Sequence, residues 1–198
     1  VLEHCGRGFR WQDMVEETEG LQPRDLVWLR YPTDDEIFDV GMRGIHLNNY
    51  VEWKADDHAQ MMVDLYGWKT SDQPFDRTYR RISNLDDMHE NGAHDYLKFV
   101  KFGYGRCTDH ACKDIRAGKF TRAQGMELVR RLDHVRPRDL ERWCSYTGMS
   151  EREFDAVADT FRSPRVWWIQ DGQWWKDNVW GEPSAYGPVH LPKDQWGK

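Results

Sequence analysis

The chain has 198 residues, a net charge of −6, 39% hydrophobic and 31% charged residues. That is the composition of a globular protein long enough for a real core, not of a disordered one. The acidic balance argues against a general nucleic-acid or membrane-surface binder, and no apolar run approaches the roughly 20 residues needed to cross a bilayer.

Val1 opens directly into a charged, aromatic segment, which reads as part of a longer protein. Cys5, Cys107, Cys112 and Cys144 have no disulfide-framework spacing, so a reducing, cytoplasmic setting is expected. A short helical stretch is expected near Trp11–Glu17. Asp25–Tyr31 and Gly44–Trp53 read as two strands, the second running into a polar turn. Asp56 is placed as N-cap of a helix through Tyr66, ended by Gly67. Strand, turn and helix together form the repeating unit of α/β folds, with ligands at the carboxyl ends of strands. Asn48, Asn49, Tyr50 and Trp53 would lie at such an end.

Residues 69–83 read as a polar, extended linker. Asp86 or Asp87 would cap a long helix through Phe102, broken by Gly103-Tyr-Gly105. A helix over Asp109–Ala117 stops at Gly118. Thr121 with Gln124, and Ser150 with Glu153, are capping boxes for two further helices. Between them Pro137 starts a helix that runs to Gly148. Phe154, Val157, Ala158 and Phe161 form a core-facing stripe at helical spacing. Val166–Ile169 and Trp174–Trp175 flank Asp171-Gly172 as a β-hairpin. The proline-bearing tail reads as a surface wrap.

The chemistry concentrates in 94–116. His94, Lys98 and Lys101 share one helix face. Arg106, Asp109, His110, Asp114 and Arg116 follow the glycine break. Asp114, one turn from His110, would fix its tautomer, and Arg106 would grip a phosphate or carboxylate. The two glycines would let backbone approach a ligand. The bland alternative is a solvated face of ion pairs. Cys107 and Cys112 with His110 between them lack the spacing of a zinc knuckle, and no metal site is expected. The paired Trp of the hairpin read as core or interface before sugar-stacking platform.

Three runs carry a resemblance: Gly44-Ile-His-Leu-Asn-Asn-Tyr50, Phe75-Asp-Arg-Thr-Tyr-Arg-Arg-Ile-Ser-Asn-Leu-Asp-Asp87 and His94-Asp-Tyr-Leu-Lys-Phe-Val-Lys-Phe-Gly-Tyr-Gly-Arg106. With Thr108-Asp-His110, Asp114–Gly118 and Arg162-Ser-Pro-Arg-Val-Trp167, they resemble the C-terminal region of the N-acetyl sugar amidotransferases of lipopolysaccharide and surface-glycan synthesis. The resemblance implies an ATP-dependent, AMP-forming conversion of a sugar acetamido group to an acetamidino group. It implies ATP and Mg²⁺ as cofactors. It also implies a nucleotide-linked or nonulosonic N-acetylated sugar as substrate, and glutaminase and cyclase-like subunits supplying ammonia. The Ser-Gly-Gly-x-Asp-Ser phosphate loop expected of such enzymes is absent from these 198 residues, so the chain alone should not turn over.

On that basis Lys101, Arg106, Asp109 and His110 are candidate catalytic groups: Lys101 and Arg106 would offset phosphate charge, and Asp109 or His110 would accept a proton. Asn48, Asn49, Tyr50, Trp53, His94, Lys98, Asp114 and Arg116 are candidate substrate or nucleotide contacts. The expected architecture is α+β, mainly α. It comprises the end of an α/β ATP-pyrophosphatase domain (1–68), the linker (69–83), a helical domain (84–162) and a Trp-rich hairpin with tail (163–198). A non-catalytic docking module for a glutaminase or synthase, and a zinc-binding structural domain, remain the alternatives.

Overall fold

The computed structural model describes residues 11–30, 32–83 and 91–197, and the architecture is α+β and mainly α. Contacts divide the chain into two compact units, 1–54 and 55–198.

In the first unit, α1 (Trp11–Glu17) is followed by a 3₁₀ helix over Pro23–Leu29, α2 (Asp34–Val40) and a 3₁₀ turn over Leu47–Asn49. Both predicted strands are corrected here. Pro23 supplies a helical φ at the first position, and Asp25 accepts the N–H of Gln22 at 3.0 Å, so the Leu-Val-Trp-Leu run winds instead of extending. Gly44–Trp53 has no strand to pair with among the described residues, and its main chain turns locally: Asn49 and Tyr50 donate to His46 and Leu47. Thr33 and Glu36 form a capping box at α2, and Gly41 ends it in the left-handed region.

The second unit begins with α3 (Ala55–Tyr66), which Gly67 ends at φ +66°. Asp56 is inside the first turn of α3, not its cap, and its carboxylate is used elsewhere. Then come α4 (Asn91–Phe102), α5 (Arg106–Arg116), α6 (Arg122–Leu132), α7 (Leu140–Thr147) and α8 (Glu151–Thr160). The predicted cap at Asp86 or Asp87 lies outside the described residues. Both predicted capping boxes form: Thr121 with Gln124 and Ser150 with Glu153.

Helix α4 divides two cores. Val100 packs with Leu140, Cys144, Phe154 and Ala158, while Phe99 packs with Trp167 and Trp174. The stripe on α8 is half as wide as predicted: Phe154 and Ala158 are buried, but Val157 and Phe161 are 47% and 55% exposed.

The hairpin forms as read. β1 (Trp167–Gln170) pairs antiparallel with β2 (Gln173–Lys176), and Asp171 and Gly172 both take positive φ, the geometry of a two-residue turn matched to strand twist. The predicted tail wrap is corrected: Ser184–Pro188 is a third strand, β3, antiparallel to β2 across a register shift. Arg162 stacks its guanidinium 4.3 Å from the Trp167 ring centre and 4.9 Å from that of Trp174. These two indoles are therefore core, closed by a cation.

Candidate functional site

Residues 69–83 are irregular but are not a free linker. Arg77 takes φ +58° and is 1% exposed. It donates from Nη1 to the Val135 carbonyl at 3.1 Å and from Nη2 to the carbonyls of Asn91, at 3.3 Å, and Gly92. A charged donor answering several main-chain acceptors pins this segment to the start of α4. The next three side chains are thereby laid against α5.

Thr78 Oγ1 sits 2.6 Å from Nδ1 of His110. Tyr79 donates its hydroxyl to Asp114, and Arg80 donates to Asp114 at 2.9 Å and to Asp56 at 2.5 Å. Lys119 completes the group by donating to Asp56 at 2.7 Å. Burial alone would raise the Asp56 carboxyl, but Lys119 and Arg80 outweigh it and hold the group below its ordinary range. The predicted His110–Asp114 pairing is thus corrected. Both lie on α5, but Asp114 is taken by Tyr79 and Arg80, and the imidazole turns to a hydroxyl from another segment.

A second set bridges α4 and α5. Arg106 forks onto the buried Asp95, with contacts of 2.6, 3.0 and 3.1 Å, and His94 Nδ1 lies 3.1 Å from the same carboxylate. Lys98 donates to Asp109 and stands 4.8 Å from the Tyr104 ring centre. Burial would raise Asp95, yet the bonds from Arg106 and His94 keep it below the usual carboxylate range. The Asp95 bond in turn raises Arg106.

Asp133 sets where α5 begins. Its carboxylate accepts the N–H of Gly105 at 2.8 Å, the N–H of Thr108 at 3.1 Å and the Thr108 hydroxyl at 2.6 Å. This answers donors left open at a helix start. A Cβ on Gly105 would fall 2.8 Å from the Asp133 carboxylate, and one on Gly103 would fall 2.4 Å from Val166. The glycine break predicted to admit a ligand instead admits the protein's own packing.

Of the predicted site residues, His94, Lys98, Arg106, Asp109, His110 and Asp114 lie in this bonded face of α4 and α5. Lys101 and Arg116 are exposed on the same helices, Lys101 with its amine 5.2 Å from the Phe102 ring centre. Asn48, Asn49, Tyr50 and Trp53 are exposed in the first unit. Sequence reasoning missed Arg77, Thr78, Tyr79, Arg80, Asp95 and Asp56. The dense run Asp76-Arg-Thr-Tyr-Arg-Arg81 inside a supposed linker was the available signal. A recess lined by Arg138, Asp139, Glu141, Arg142, Ser145 and Tyr146 opens beside α7, and none of the cluster's residues lines it.

Cys107 is fully buried, and burial pushes its thiol up to about 12; Cys112 is exposed. Among the described residues, no group of three or more His, Cys, Asp or Glu gathers to hold a metal ion. Among them too, no helix is long and apolar enough to cross a membrane.

The chemistry available is that of oriented cations. Arg106 spends Nε and Nη2 on Asp95, but Nη1 makes no hydrogen bond among the described residues. His110 is one helical turn away and shares that face. Burial first, then the charges of Arg80, Arg106 and Lys113, push the imidazole down to about 4, so the ring is neutral near pH 7.

No curated protein matches the chain. Residues 74–179 match the family described as LPS biosynthesis protein WbpG-like, C-terminal domain. The match covers more than half of the chain and contains every residue of the bonded cluster except Asp56; the chain belongs to the WbpG-like C-terminal domain family of LPS biosynthesis proteins.

Proposed function

We propose that the chain is the C-terminal part of an ATP-dependent, AMP-forming enzyme that converts the acetamido group of an N-acetylated sugar to an acetamidino group in LPS synthesis. The observation that carries the reading is Arg106, held by a buried carboxylate while its Nη1 makes no hydrogen bond among the described residues, on the family-matched segment. An amide oxygen is a poor leaving group. Attack of that oxygen on the α-phosphorus of ATP expels pyrophosphate and makes an O-adenylated imidate. Ammonia then adds to the carbon, a proton is lost, and the C–O bond breaks to release AMP and the amidine.

The departures of pyrophosphate and of AMP both place charge on phosphate oxygens, and fixed cations stabilise it without reorganising. Arg106 with Lys98 and Lys101 would face the phosphates of ATP or of a nucleotide-linked sugar. Asp109 would take the ammonium proton. Mg²⁺ would screen the departing pyrophosphate. A Ser-Gly-Gly-x-Asp-Ser loop, outside these residues, would cradle the ATP phosphates through backbone N–H groups. ATP and nucleotide sugars as substrates favour a cytoplasmic site, with ammonia arriving from glutaminase and cyclase-like subunits.

The test is AMP release by this chain joined to a phosphate-loop half. Release should occur only when an N-acetylated sugar and ammonia are both supplied, if the proposal holds. Release indifferent to the sugar would contradict it.

A second reading, a docking module for a glutaminase or synthase subunit, is favoured by one observation. Helix α3 and its end leave Met61, Met62, Leu65, Tyr66 and Trp68 exposed. Capture of the glutaminase by this chain, lost on Leu65→Asp, would support it.

A further inference from the structure

Thr78 Oγ1 has two partners among the described residues. It accepts the main-chain N–H of Arg80 at 3.2 Å, and it lies 2.6 Å from His110 Nδ1. The threonine is buried. If Nδ1 carried the ring proton, the imidazole would donate to a hydroxyl whose own hydrogen then had no acceptor among the described residues. A buried donor left unmet is costly. The arrangement that answers every group has the Thr78 hydroxyl donating to a bare Nδ1, which puts the single proton of the neutral ring on Nε2. Nε2 makes no hydrogen bond among the described residues, and it is not among their buried unpartnered atoms.

We infer that Thr78 is a positioning residue that holds His110 as an Nε2–H donor, and that this donor joins the unspent Nη1 of Arg106 in receiving a phosphoryl oxygen. The ring is thus a hydrogen-bond donor, not the proton acceptor that its residue type first implies. Arg106 and His110 stand at i and i+4 on α5, so both donors serve one face. Arg77 keeps Thr78 in place from the adjacent position. The tautomer rests on hydrogen bonding alone; the phosphoryl ligand rests on the amidotransferase reading.

The test is the long-range ¹H–¹⁵N correlation spectrum of the ¹⁵N-labelled 198-residue chain. The expected pattern at His110 is an unprotonated Nδ1 and a protonated Nε2. Thr78→Val should mix the tautomers, and Thr78→Ser should restore the single form. A proton on Nδ1 in the wild-type chain overturns the inference, and that spectrum decides it even if Thr78→Val does not fold. Retention of the wild-type pattern in a folded Thr78→Val chain overturns the role of Thr78.

Titration with inorganic pyrophosphate should then move the His110 Nε2 signal, with at least about tenfold weaker binding in Arg106→Ala. No movement at His110 at saturation overturns the phosphoryl half. Dependence of AMP release on sugar and ammonia judges the amidation reading separately.

Discussion

The guanidinium of Arg77 is withdrawn from water and answers carbonyls on two sides, one at Val135 and two at the start of α4. Burial pushes it below its ordinary range, with Asp95, Asp76 and Asp139 opposing that shift. Arg77→Met would leave those carbonyls unanswered, so a loss of about 3 kcal/mol or more is expected in urea unfolding. Because Arg77 also places Thr78, the same variant should disturb the His110 spectrum.

His110 itself makes a pH prediction. Its folded value, about 4, lies below the ordinary 6.5, so below that value the unfolded chain binds a proton the folded chain refuses. The stability from the buried neutral ring is complete above 6.5 and is lost as pH falls toward 4. His134, lowered mainly by burial, acts with the same sign. The urea midpoint should fall between about pH 7 and about pH 5, and His110→Asn should flatten that fall. An unchanged midpoint in the wild-type chain would contradict the burial of a neutral ring. None of this was legible from the sequence, which places Asp114 one turn from His110 but cannot show that Tyr79 and Arg80 claim its carboxylate first.

Helix starts written within four residues are the elements the sequence declares most clearly. Thr121 and Ser150 cap α6 and α8 as their spacing predicts, and Thr121→Ala or Ser150→Ala should each cost about 1 kcal/mol in thermal or urea unfolding. The Asp171-Gly172 turn is equally local. Strands are not local, since each needs a partner. The apolar runs at Leu26–Leu29 and Gly44–Trp53 curl because no strand pairs with them among the described residues. β3, with Gly187 and Pro188 in it, forms because β2 offers an edge. The start of α5 is set by Asp133, far along the chain, so no reading of the Gly103–Gly105 break alone could find its purpose. Gly103 has φ +73°, and a Cβ there would sit 2.4 Å from Val166. Gly103→Ala should therefore cost more than either cap loss, about 2 kcal/mol or more, measured in the same unfolding series.

Across the whole chain, the match over residues 74–179 and the charged face of α4 and α5 coincide. The sequence already gathered those residue types, but it offered them as a loose ring around a ligand. In the structure Asp95, Asp109, Asp114 and Asp56 hold the cations first, and the Nη1 of Arg106 is left with no hydrogen bond among the described residues. Such a surface fits a ligand with several negative oxygens better than one needing a strong base. The most direct measurement is kcat/KM for AMP formation with Arg106→Ala, in this chain joined to a phosphate-loop half, with Arg136→Ala on α8's ion-pair network as control. If Arg106 meets the phosphates, Arg106→Ala should lose on the order of a hundredfold and the control should change little. Equal activity in Arg106→Ala and wild type would contradict that contact.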